Sequence, residues 1–237
     1  MTDTALLRSR ARLAGLLYLV IIVSAGFAEG FVRGGLIVPG DAAATAESIR
    51  AATGLFRFGL FADLLAFVAD AGVAVLLYLV LRPTSRTLAL LAAAFRLVAH
   101  PAIGALNLLA HQAGLSLLEG RPAMPAFSPE QIEQLALLAL DLHGYGYVIA
   151  GAFFGVHCAL LGVLLLRSVH FPGWLGALLV AAGFGYLFEV TAVFAAPGLE
   201  ALAAGVVVVT AGIGEVVLCL YLLIVGVRRD AAAEGAG

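Results

Sequence analysis

Six apolar stretches, each about 20 residues or longer, constrain this chain of 237 residues more than any other feature. A helix needs about 20 apolar residues to cross ~30 Å of hydrocarbon. The stretches fall at roughly 13–32, 57–81, 88–112, 144–166, 171–196 and 201–227. They predict an all-α integral membrane bundle of six transmembrane helices, with residues 1–237 forming one membrane domain. Composition agrees: 63% of residues are hydrophobic and 12% charged, where soluble domains carry about 25% charged.

Orientation follows from the arginines, which make up all 13 basic residues. Arg8, Arg10, Arg12, Arg82, Arg86, Arg167, Arg228 and Arg229 flank one side of the spans, whereas Arg33, Arg50 and Arg121 lie on the other. The positive-inside rule then puts both termini in the cytoplasm, in a bacterial cytoplasmic (inner) membrane. The first span also resembles a secretory signal, with RSRAR before it and the small residues Gly26 and Ala28 after it. Tyr18 and the apolar residues continuing around Phe31 favour its retention.

Two outer-face segments are predicted to be helical without crossing. Asp41 can cap a helix near 42–53 that stops at Gly54, and Ser128-Pro129-Glu130-Gln131 forms a capping box opening a helix near 129–142. Ile132, Leu135, Ala136, Ala139 and Leu140 lie on one face of the second. An unbroken helix from there to Arg167 would be about 58 Å long. A bend near Gly144 and Gly146, or protruding outer turns, is therefore expected.

Charged groups inside the apolar stretches are the main functional signal, because groups so costly in hydrocarbon normally face one another. Arg96 lies about ten residues into the third span. Asp70, His157 and Glu215 each stand 10 to 13 residues before an inner-side arginine, at Arg82, Arg167 and Arg228, which is about 15–20 Å from the inner interface. Arg96, His100, Asn107 and His111 follow offsets of 4, 7 and 4 and share one stripe, with Gln112 as an alternative end. Asp63 and Asp70 share a face of span two. The expected pairings are Asp70 with Arg96 and Asp63 with His100, with Glu215 competing for the same arginine. Three readings fit: a structural ion cluster, a proton or ion relay, or a polar anchor for a ligand.

A second group lies toward the outer face. It comprises Glu29 and Arg33, Arg57, His111, Asp141 and His143, and Tyr186 with Glu189. Solvated interface residues are the plain reading. The sharper ones are an outer vestibule, or an acid–base site in which Asp141, His143 and His111 are the catalytic candidates.

Other chemistries find little support. There is no metal site of local spacing such as His-Glu-x-x-His, so zinc would have to be assembled from His111, His143 and carboxylates on different helices. Haem would need His100 and His157 to face each other. Cys158 and Cys219 read as core residues. Neither a phosphate loop nor a Gly-x-Ser-x-Gly elbow occurs, and without a basic run nucleic acid is not a partner. Gly144-Tyr145-Gly146 lacks the Thr-Val of a potassium filter. Gly151, Gly155, Gly173, Gly176 and Gly183 instead suit close helix packing, and Gly-rich faces could also join a homodimer. Pro101 should kink span three.

Longer segments carry a family resemblance. FVRGGLIVPGDAAATAESIRAATGLFRFGLFADLL, LLYLVLRPTSRTLALLAAAFRLV, HFPGWLGALLVAAGFGYLFE and GEVVLCLYLLIVGV resemble the bacterial membrane family catalogued as domain of unknown function 4386, from about Ala11 to Val227. His170-Phe171-Pro172-Gly173 stands where that pattern has an Ile-Pro-Arg-like turn. The resemblance implies a compact six-helix membrane domain without an established activity, and it sets Asp63, Asp70, Arg96, His143 and Glu215 inside family-like segments.

The functional expectation is a protein that binds, senses or transports a small polar or amphipathic solute in contact with membrane lipid. The alternatives are an intramembrane lipid-acting hydrolase or transferase, and a structural or partner-binding subunit.

Overall fold

The computed structural model describes residues 3–228, so Arg229 lies outside the described residues. Six helices are long and apolar enough to cross a membrane: α1 (Thr4–Leu36), α3 (Thr53–Leu81), α4 (Arg86–Leu118), α5 (Pro129–Arg167), α6 (Gly173–Ala195) and α7 (Glu200–Ile224). A short α2 (Ala42–Ala51) joins the first two. Among the described residues there is no strand, and the expected all-α architecture of six spans holds.

The spans pack as a closed ring in chain order, with α7 returning to α1. Arg12 donates to the Ile224 carbonyl at 3.0 Å and Arg8 to that of Val227 at 3.4 Å. These arginines satisfy carbonyls that the end of α7 leaves without intrahelical partners. The first and last spans therefore meet at the same face of the bundle.

Two spans contain a wider, π-helical turn, at Phe27–Arg33 in α1 and at Val98–Gly104 in α4. In α4 the cause is Pro101, which has no N–H to give its turn. The expected kink takes that form. In α1 no proline is involved, and the turn carries the helix on to Leu36, which brings Arg33 inside it.

The capping box at Ser128 forms in both directions. The ladder then runs unbroken for 39 residues, about 58 Å. The outer segment near 129–142 and the fourth span are thus one rod, with no break at Gly144 or Gly146. Its protruding turns place Ala136 and Leu140 in an apolar cap with Val32, Ala46, Ile49, Phe56 and Leu115. Gly146 serves packing, since a Cβ there would collide with the Asn107 side chain. Asp41 caps α2 by accepting from the Ala44 N–H at 2.9 Å. That helix ends at Ala52, where φ is −130° and ψ 36°, rather than at the expected Gly54.

Helices α5 and α6 touch backbone to backbone. A Cβ on Gly162 would lie 2.7 Å from the Gly176 carbonyl oxygen, and one on Gly183 2.6 Å from that of Gly155. The pairs 155/183 and 162/176 are two helical turns apart on each helix, so these glycines are used inside the chain.

At the end of the bundle opposite the amino terminus Glu119 accepts from both Arg57 and Arg121. Arg57, in the first turns of α3, is thus tied to the loop after α4 and does not line the cavity that the expected vestibule would form. The hydrogen bond from Arg121, with that from Arg57, holds the Glu119 carboxyl below the usual carboxylate range. A folded value below the unfolded one means that this contribution is present above the unfolded pKa and is lost as pH falls through the folded one. A carbon-detected NMR titration should find Glu119 changing protonation at lower pH than an exposed glutamate; an ordinary midpoint would rule the bridge out.

Candidate functional site

Each of the six spans gives one polar side chain to a network at the middle of the ring: Tyr18, Asp70, Arg96, His157, Tyr186 and Glu215. Arg96 Nη2 donates to Asp70 Oδ1 at 2.5 Å, and Nη1 donates to His157 Nε2 at 3.0 Å and to the Tyr18 hydroxyl at 3.4 Å. Tyr18 donates onward to Glu215 Oε2 at 2.9 Å, while Tyr186 donates to Oε1 at 2.7 Å. The guanidinium lies over the Tyr18 ring at 4.6 Å and over the Phe154 ring at 5.1 Å, an arrangement that favours a desolvated cation.

The His157 tautomer follows from its partners. A carbonyl only accepts, so Nδ1 donates to the Ala92 oxygen at 2.8 Å, and Nε2 offers Arg96 its lone pair. Both nitrogens are engaged, and haem ligation at His157 would break the arginine contact. Asp70, Arg96 and His157 are at most 1% exposed. The void beside His157 is about 10 Å³, room for about one water. His100 reaches in from the side, its Nδ1 3.5 Å from Asp70 Oδ2.

The expected pairing of Asp70 with Arg96 is present, and that of Asp63 with His100 is not. Asp63 is taken by Arg33, with Nη1 to Oδ2 at 2.6 Å and Nη2 to Oδ1 at 3.3 Å. Such a forked pair is stronger and more directional than a single contact. The physical reason is the extended α1, which buries Arg33 level with Asp63. Tyr147 also donates to Asp63 Oδ1 at 3.1 Å, and Arg33 Nε donates to Glu29 at 2.7 Å. Tyr186, expected in the outer vestibule, belongs to the central network instead. Glu189 is half-buried one turn farther along α6.

Beside Arg33 opens a cavity of about 590 Å³, with Glu29, Arg33, Asp141, His143 and Tyr145 among its lining residues and Ile37, Leu140, Val148 and Val193 as apolar walls. His143 Nδ1 donates to the Asn107 carbonyl at 3.0 Å, and the Asn107 amide returns a bond to the His143 carbonyl at 2.6 Å. His111 lies behind His143, ring centres 5.4 Å apart, and stacks on Phe56 at 4.1 Å. Asp141 is exposed. The two histidines converge, while Asp141 shares the cavity with His143 without a hydrogen bond to it among the described residues.

Tyr18, Tyr147 and Asn107 are partners that the sequence reading did not assign. Asn107 was legible as part of the polar stripe on span three. The tyrosines gave no comparable signal, since a tyrosine in an apolar run is ordinary.

A ring of six apolar helices around one polar layer, with a second polar cluster beside a cavity, defines a multi-pass membrane protein. The chain belongs to the family described as Domain of unknown function (DUF4386), which it matches over residues 13–226. It is 31% identical over 164 residues to an uncharacterized protein of Archaeoglobus fulgidus, a stretch covering 68% of this chain and 80% of that protein. No solved structure matches the chain.

Proposed function

We propose that the protein binds a small polar or amphipathic solute in the outer cavity, as a receptor or carrier whose central layer is a structural ion cluster. The single observation that carries this reading is the cavity beside Arg33. Its volume of about 590 Å³ lies within the usual ~300–1,000 Å³ of small-molecule sites, and its walls mix apolar side chains with a few charged ones. Glu29 and Asp141 line it with a single Arg33, whose charge is already matched by Asp63 buried behind it, so the excess of carboxylates favours a cationic solute such as an amphipathic amine. The central network supports a structural role because Asp70 and Arg96 are paired and buried beside room for about one water, with only Asp70 Oδ2 and Arg96 Nε left without a hydrogen bond there, whereas a relay needs a continuous water path to them. The arginine distribution supports cytoplasmic termini in a bacterial inner membrane.

Binding is tested with purified protein in lipid nanodiscs against a panel of alkylamines, matched carboxylates and neutral alcohols. Amines should raise the melting temperature, since a ligand at about 100 times its Kd adds ~2.7 kcal/mol. Glu29→Gln with Asp141→Asn should weaken amine binding at least about tenfold, the ~1.4 kcal/mol that one charged contact supplies. Equal response to all three classes, or an unchanged response in the double variant, would sink the proposal.

A further inference from the structure

Three buried imidazole nitrogens stand out next to the cavity. Neither nitrogen of His111 nor Nε2 of His143 has a hydrogen-bond partner among the described residues, and the residues are 0% and 2% exposed. Leaving a buried polar atom unpaired costs its full desolvation penalty. Three such atoms on adjoining rings mark a place built for something the protein's own groups do not supply.

We propose that His111 and His143 together bind one divalent transition-metal ion of the zinc type at the floor of the outer cavity. The ring spacing fits. With zinc–nitrogen distances of ~2.0–2.1 Å along each lone-pair axis, two imidazoles on one tetrahedral ion have centres about 5 Å apart. The observed separation is 5.4 Å, with ring planes at 76°.

The tautomer fits as well. His143 spends its Nδ1 proton on the Asn107 carbonyl, which leaves the Nε2 lone pair for a metal. A ring N–H donated to a backbone carbonyl is the usual support behind a ligating histidine. The reciprocal bond from the Asn107 amide to the His143 carbonyl ties that support to the same turn of α5. At His111 one ring nitrogen faces the Phe56 backbone without closing a hydrogen bond, which leaves the other to carry the lone pair. Local charge also permits a cation, because Arg33 is matched by Asp63 and Glu29 at 2.6 and 2.7 Å and Asp141 adds a further carboxylate.

Two side-chain ligands fall short of a closed structural site. Among the described residues no group of three or more His, Cys, Asp or Glu is placed to hold a metal. The ion's remaining positions therefore fall to water or to an oxygen or nitrogen of a molecule in the cavity that His143 lines. An open coordination position is what separates ligand-binding and catalytic zinc sites from purely structural ones.

The ion site does not rest on the solute reading, and the two fail separately. Tag-free protein in nanodiscs is titrated with Zn²⁺ alone by calorimetry, and with Cu²⁺ alone for electron paramagnetic resonance after ¹⁵N-histidine labelling. One equivalent of Zn²⁺ should bind per chain, and the copper spectrum should report two imidazole nitrogens. His111→Gln and His143→Gln should each weaken binding by at least about 100-fold, more than the ~10–100-fold typical of losing a supporting residue. His170→Gln, at the opposite end, should leave it unchanged. Absence of saturable binding, full binding in both histidine variants, or a copper spectrum without two histidine nitrogens would overturn the site. The last measurement uses the wild-type chain and decides even where a variant does not fold.

Discussion

Asp70→Ala should destabilise the protein by about 3–5 kcal/mol, the usual cost of removing one partner from a buried ion pair. The loss comes less from the 2.5 Å contact itself than from what remains. Arg96 would keep its charge, fully buried, with only the neutral partners His157 and Tyr18 in direct contact. Removing both charges together, as Asp70→Leu with Arg96→Met, should recover much of the loss, because apolar packing of similar volume is often as stable as a buried pair. Glu215→Gln should cost nearer ~1 kcal/mol, since an amide still accepts from one tyrosine and donates to the other. Reversible unfolding in mixed micelles, read by tryptophan fluorescence at Trp174, orders the variants. A single Asp70 variant as stable as wild type would refute the central pairing.

Gly162→Leu should be comparably damaging for a different reason. A Cβ at Gly162 meets Val180 Cγ2 at 2.7 Å and Val180 N at 2.8 Å besides the Gly176 oxygen. Backbone does not yield as a flexible side chain does, so α5 and α6 must separate along the seam that also holds 155/183. Overpacking costs about 1–3 kcal/mol and sometimes more, and leucine here belongs at the upper end. Gly212→Ala is the control: its Cβ would meet nothing within 4 Å, and alanine should be neutral or stabilising by up to ~1 kcal/mol. Melting curves of the two variants should diverge widely; coincidence would mean that the seam is looser than drawn.

The spans were legible because an apolar run of about 20 residues has few other uses in a chain this rich in them. Asp70, Arg96, His157 and Glu215 were legible for the same reason inverted, each being an expensive group in such a run, with depth recoverable by counting. What stayed hidden was partnership. Arg33 reads as an interface arginine until the wide turn in α1 extends the helix and buries it against Asp63, and nothing around Phe27 announces that turn. Arg57 read as a vestibule residue because its partner, Glu119, lies 62 positions away. Tyr18 and Tyr186 were hidden by being amphipathic, since their hydroxyls matter only once a carboxylate on a third helix is brought within reach. Gly155, Gly176 and Gly183 were legible as packing glycines, though neither Gly162 nor the meeting of the two sets was.

The closed ring also has a consequence for biosynthesis. Asp70 and Arg96 are only 26 residues apart, so their helices can enter the bilayer as a hairpin with the charges already matched. The hydroxyl of Tyr18, by contrast, must wait for Glu215, 197 residues later. At ~5–20 residues per second that delay is about 10–40 s. Through that interval α1 has no seventh helix to lie against, and the ribosome, translocon or lipid must shelter its open flank. The first helix made is thus among the last to be locked, and a ribosome stalled before α7 leaves a nascent chain that quality-control proteases can recognise.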